Sequence, residues 1–87
     1  MYRIVTDGEV AKEIAALPDV ALVPYAQVLG VVELAPWNGE PYYLAKPDSP
    51  MRQWVFGPTG EGVVVYLILE DQRRVDVLRV VWLSVGT

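Results

Sequence analysis

The chain has 87 residues, 53% of them apolar, with seven basic and eleven acidic side chains and a net charge of −4. That apolar content argues against disorder, and the absence of cysteine and histidine excludes disulfides, thiolate metal sites and histidine-based catalytic triads. The acidic balance weighs against unaided nucleic-acid binding, which needs clustered Lys and Arg to neutralise phosphates.

Tyr2-Arg3-Ile4-Val5 alternates and reads as a short first strand. Asp7 is an N-cap for a helix from about Gly8 to Leu17, with Val10, Ile14 and Leu17 on one stripe. Pro18 ends it. Asp19 is a candidate cap for a second helix. Pro24 is tolerable only in a first turn, so the regular helix is expected to start between Asp19 and Val23. Tyr25, Val28, Leu29 and Val32 share a face, and the helix stops at Leu34 or Ala35. Gly30 weakens its middle by ~1 kcal/mol relative to alanine, and its smallness is expected to admit a close neighbour.

Residues 36 to 50 form a long irregular segment with four prolines, an Asn-Gly turn signal and three aromatics. Arg52 to Phe56 is the next strand, with Arg52, Trp54 and Phe56 on one face and Gln53 and Val55 on the other. A turn-forming run, Gly57 to Gly62, leads into the apolar strand Val63 to Leu69. It is not a phosphate loop, because no Gly-Lys-Ser/Thr follows and no helix begins there. Glu70-Asp71-Gln72-Arg73-Arg74 is a polar turn, and the last strand runs from about Arg74 to Leu83. The predicted fold is α+β with the order β-α-α-β-β-β: a mainly antiparallel four-stranded sheet with two N-terminal helices on one face. The last two strands, nearly continuous in apolar residues, belong at its centre. Length sets one domain over residues 1–87. No stretch approaches the ~20 apolar residues of a membrane span, and the N-terminus lacks a signal-peptide core, so the chain is expected to be soluble and cytoplasmic.

An ordered set of segments carries a family resemblance. They are Tyr2-Arg3-Ile4-Val5, Leu17-Pro18, and Ala35-Pro36-Trp37-Asn38-Gly39-Glu40-Pro41-Tyr42. Arg52 with Val55-Phe56-Gly57, Tyr66-Leu67-Ile68-Leu69-Glu70-Asp71, and Val75-Asp76-Val77-Leu78 ending at Trp82 complete it. The pattern resembles the RelE/ParE superfamily of toxins from type II toxin–antitoxin systems. The resemblance implies a cognate antitoxin partner. For the RelE branch it implies ribosome-dependent cleavage of mRNA, and for the ParE branch inhibition of DNA gyrase. Arg52 matches one basic position of the family. The next basic position along that strand is Trp54, the arginine early in the third strand falls near Val63, and the basic and tyrosine positions after the last strand fall in the tail at Ser84. Arg79 is an unaligned replacement.

Cleavage by a 2′-hydroxyl needs a base, an acid and positive charge at the phosphate. Without histidine, Glu40 or Tyr42 is the candidate base. Arg52 is the first candidate for the phosphate, through its bidentate fork; otherwise it blunts an exposed strand end. Arg79, assigned to one face with Val75, Val77 and Val81, must pair or reach solvent. It either meets a carboxylate and marks the open sheet face, or binds phosphate or antitoxin. Arg73 and Arg74 read first as a solvated turn and second as substrate contacts. Tyr42, Tyr43 and Trp54 suit stacking on unpaired bases, or pinning of the loop. Trp37 and Trp82 are read as packing. Asp48, Glu40 and Asp76 make no recognisable metal set, and no cofactor is expected.

The leading expectation is thus a metal-independent, ribosome-dependent endoribonuclease toxin, with ribosome, mRNA and antitoxin as partners. Its rival is a non-enzymatic binding module on the same scaffold, either a gyrase inhibitor or a catalytically decayed form. A third reading is a homo-oligomer paired through its sheet face.

Overall fold

The computed structural model describes residues 1–83; the tail positions from Ser84 onward, on which the family's last basic and tyrosine positions fall, lie outside the described residues. The elements are β1 (Arg3–Thr6), α1 (Gly8–Ala15), α2 (Asp19–Leu34), β2 (Glu40–Pro41), β3 (Met51–Phe56), β4 (Gly62–Leu69) and β5 (Arg74–Trp82). Single 3-10 turns at Pro36–Asn38 and Glu70–Gln72 punctuate them.

β4 and β5 pair antiparallel from Gly62–Trp82 to Leu69–Arg74, and both are interior strands. The expected four-stranded sheet is corrected to a five-stranded mixed one, ordered β1-β5-β4-β3-β2. β1 pairs parallel with β5, and the two-residue β2 adds antiparallel to β3. A two-residue strand is too short to show periodicity, and Pro41 is admissible because β2 is an edge.

Both helices cover one face. Val10 of α1 and Tyr25, Val28 and Val32 of α2 pack on Phe56, Val64, Tyr66, Ile68, Val75, Val77 and Val80. The Asp7 carboxylate accepts from the Val10 N–H at 2.9 Å and starts α1. That helix stops at Ala15, two residues earlier than expected, as Leu17 N–H folds back to Ile14 O in a tightened last turn. Pro18 precedes α2, with Asp19 at its first position, so Pro24 lies in the second turn, not the first. The carbonyl it leaves without a helical donor belongs to Val20, which is exposed and open to hydration. A Cβ at Gly30 would meet nothing within 4 Å, so the expected close neighbour is not found among the described residues.

The register of β4 against β5 jumps at one point: Tyr66 faces Val77, and Val65 faces Arg79. Leu78 is the extra residue of a bulge, which reverses the alternation beyond it. The assignment of Arg79 to the face of Val75 and Val77 is therefore corrected. Val75, Val77 and Val80 are buried under the helices, and Arg79 leaves the core.

Candidate functional site

Among the described residues no helix covers the other sheet face, where Val65 at the centre is shielded by its neighbours to 7% exposure. Strand register places its residues in rows: Arg3–Arg74–Leu69, Val5–Asp76–Leu67–Met51, Arg79–Val65–Gln53–Glu40 and Val81–Val63–Val55. The middle of this outer face is apolar. Its arginines stand in a column along β1 and β5, and Glu40 is at the far edge.

Two of the column's arginines are engaged by carboxylates. Arg74 grips Asp76 through a bidentate pair at 2.8 and 3.1 Å, with Gln72 Oε1 accepting a third bond at 2.9 Å. Arg79 Nε donates to Glu13 Oε2 at 2.8 Å, and Val80 N–H donates to Glu13 Oε1 at 2.8 Å. Glu13, on α1, so closes the part of β5 that runs beyond the end of β1. Among the described residues Arg3 makes no ion pair.

Arg52 lies on the other, helix-covered face, 8% exposed and opposite Tyr66. Its Nε, Nη1 and Nη2 donate to the carbonyls of Ser49, Gly39 and Pro47 at 3.0, 3.0 and 2.8 Å. Its guanidinium also sits 5.1 Å from the centre of the Trp37 ring. This is neither an exposed strand end nor an open fork; the charge is desolvated and satisfied by main chain. Beside it, the Tyr66 hydroxyl donates to Pro36 O at 2.7 Å. Burial pushes that phenol up to about 12, against the lowering pull of Arg52, so it stays a proton donor. A Cβ at Gly39 would collide with this hydroxyl, so only glycine fits. Arg52 and Tyr66 thus tie down both ends of the proline-rich segment.

A second cluster joins that segment to the β4–β5 turn. Glu70 Oε1 accepts from the Tyr2 hydroxyl at 2.6 Å and from Trp37 Nε1 at 2.8 Å, and Arg73 Nη1 donates to Glu70 Oε2 at 3.0 Å. Arg73 adopts a left-handed conformation (φ 48°) that places its guanidinium 4.4 Å from the centre of the Tyr2 ring. The Trp37 and Tyr2 bonds hold the Glu70 carboxyl below its ordinary range, and the Glu70 bond followed by burial raises the Tyr2 phenol.

Tyr42 and Tyr43 are exposed and meet edge to face at 5.0 Å. Trp54 is half-buried and packs against the core, on the wall of a groove beside α2. The expected catalytic residues do not converge. Arg52 is under the helices, and Glu40 and Arg79 end the same row three strand spacings apart, roughly 14 Å. Sequence reading did not single out Glu13, Tyr2, Tyr66 or Glu70. Only Tyr66 carried a signal, a hydroxyl inside an apolar run that requires a buried acceptor. The other three make contacts across more than 60 residues, beyond any local pattern.

No family model matches the chain, and no curated protein matches it. Among solved structures, it is similar to the isolated E. coli RelE toxin (P21 crystal form), with a TM-score of 0.78 at 15% identity, covering 99% of this chain and 88% of that one. The chain has a RelE-like fold. Among the described residues, no helix is long and apolar enough to cross a membrane.

Proposed function

We propose that this chain is a toxin of the RelE kind, neutralised by a cognate antitoxin and directed at ribosome-bound mRNA. The observation that carries the reading is the RelE-like fold along nearly the whole chain, with an uncovered sheet face that bears an arginine column. On that face Arg3, without an ion pair among the described residues, would meet a phosphate. Arg74 and Arg79 would exchange Asp76 and Glu13 for phosphate oxygens, an exchange of one charge-assisted pair for another. The exposed Tyr42–Tyr43 pair offers a stacking surface for an unpaired base, and Glu40 is the carboxylate available as a base. Arg52 acts as the organiser of the loop that carries Glu40, Tyr42 and Tyr43. An antitoxin would cover the apolar middle of the same face. Cytoplasmic action and metal-independent chemistry follow from this reading.

One observation favours the rival, a binding module without cleavage. Arg73, Arg74 and Arg79 are ion-paired and Arg52 is buried, so little positive charge stands ready where a transition state would need it. Such a module would act on gyrase or another protein through the apolar face. Induced expression with RNA 5′-end mapping separates the two. Growth arrest with new ends within translated codons, lost in an Arg3→Ala/Arg79→Ala double variant, supports cleavage. Arrest with intact mRNA supports the module, which a supercoiling assay with purified gyrase then examines. Unimpaired growth with intact mRNA defeats the toxin reading.

A further inference from the structure

Helix α2 has two apolar faces, and the chain itself covers one. Ala21, Tyr25, Val28 and Val32 form the buried face. Turned about 120° around the axis, at 100° per residue, lies a second stripe: Val20, Val23, Pro24, Gln27, Val31 and Leu34. Val20, Val23 and Leu34 are 71, 66 and 70% exposed, and Val31 is 41% exposed. A stripe about 100° wide without a charge is what a helix presents to a partner. Of the charged residues of α2, Glu33 lies about 130° from the stripe's centre, and Asp19 borders the stripe about 90° from its centre, at the helix's first position.

We propose that this stripe is the interface of a symmetric dimer, in which α2 packs antiparallel against α2 of a second copy, with the two-fold axis at Gln27. The stripe is self-complementary about that residue. Val20 and Leu34 stand seven positions to either side, Val23 and Val31 four, and Pro24 and Gly30 three. A two-fold interface requires that if one residue meets another, the reverse contact also forms. Antiparallel crossing at Gln27 sets Val20 on Leu34, Val23 on Val31 and Pro24 on Gly30 of the second copy. The space left open at Gly30 receives the proline ring, which gives this glycine a neighbour. Gln27 meets its own copy on the axis, where two amides can exchange hydrogen bonds. Because the stripe is uncharged, self-docking brings no like charges together, whereas a strongly charged partner would find nothing to pair with.

The area is sufficient for a reversible dimer. α2 has 16 residues, a length of about 24 Å. The adjoining groove, about 490 Å³, shares Pro24, Gln27 and Val31 with the stripe and is closed on its far side by Val55 and Pro58. A helix pair with these flanking contacts buries on the order of 1,000 Å² in total, at the lower end of specific interfaces. An interface of that size is that of a reversible contact, and micromolar chain concentrations are the range in which to look for it.

Sedimentation equilibrium of the full chain across that range reads the association. A monomer–dimer equilibrium that is insensitive to salt is expected. Gln27→Glu, which puts two carboxylates on the axis, weakens it at least ~10-fold. Gln27 is exposed, so the variant keeps its far-UV circular dichroism. Because the chain has no cysteine, Gln27→Cys supplies a second readout: mild oxidation yields a disulfide dimer, and Ala11→Cys on α1 yields none. A monomer at every concentration overturns the proposal. So does a dimer that survives Gln27→Glu without cross-linking through Gln27→Cys, or one abolished instead by Leu67→Lys on the outer sheet face.

Discussion

Arg52 on β3 and Arg79 on β5, strands to either side of β4, hold their charges in opposite ways. Arg52 is buried, and three main-chain carbonyls hold it. Arg79 is exposed and held by one carboxylate. The first is a neutral-acceptor network around a desolvated guanidinium, where loss of the inner bond strands the buried Gly39 carbonyl and loss of any acceptor leaves the arginine charge less satisfied. The second is an exposed ion pair in water, where screening and side-chain entropy erase most of the Coulomb attraction. An arginine can therefore be architectural when it is hidden and expendable to stability when it is displayed. Displayed charge is the kind that can change partners.

The contrast breaks most sharply at Arg52. Arg52→Ala strands the buried Gly39 carbonyl and releases those of Ser49 and Pro47 to water, and should lower stability by about 2–3 kcal/mol in urea unfolding, with new proteolytic cleavage between residues 41 and 50. Equal stability in this variant would show that the loop holds itself. Tyr66→Phe leaves Pro36 O without its donor and should lose about 1–2 kcal/mol by the same measurement. Tyr25 tests the inverse. Its hydroxyl is buried without a hydrogen-bond partner among the described residues, and burial raises its pKa, so Tyr25→Phe should gain about 1 kcal/mol. A loss there would point to a bound water on that oxygen.

The Tyr2–Glu70 bond sharpens the comparison through pH. Glu70 is depressed below its ordinary 4.5, so its contribution is full above that value and is lost as pH falls through the folded pKa. Tyr2 is raised above 10.0, so its contribution is full below that value and is lost as pH rises through the folded pKa. Glu70→Gln should flatten the acid limb of a stability–pH profile, and Tyr2→Phe the alkaline limb. Unchanged limbs would remove the bond from the account. The smallest effect belongs to Arg79→Ala, a loss below about 1 kcal/mol that shrinks further in salt.

Much of this architecture could be read before any coordinates. Val63 to Leu69 and Val75 to Trp82 are apolar enough, and separated by a turn polar enough, that hairpin pairing at the sheet centre follows from burial alone. Asp7, Pro18 and the turn residues at 57–62 mark element ends because each satisfies or forbids local backbone bonds. The site was less legible. Arg52 carries the same residue type whether it faces a phosphate or three carbonyls, and its acceptors come from a segment without periodicity. Arg79 was placed on the wrong face because one inserted residue, Leu78, shifts the strand parity, and a bulge leaves no mark in an apolar run.

The sequence by itself determined the α+β order and the inner core, because periodic burial is a local property written in residue spacing. Tertiary structure alone decided that β1 returns parallel beside β5, that β2 closes the far edge, that Arg52 is spent inside, and that Glu13 meets Arg79. Those outcomes depend on pairing between groups distant in the chain, whose free energy is set by which partners the fold brings within hydrogen-bond reach.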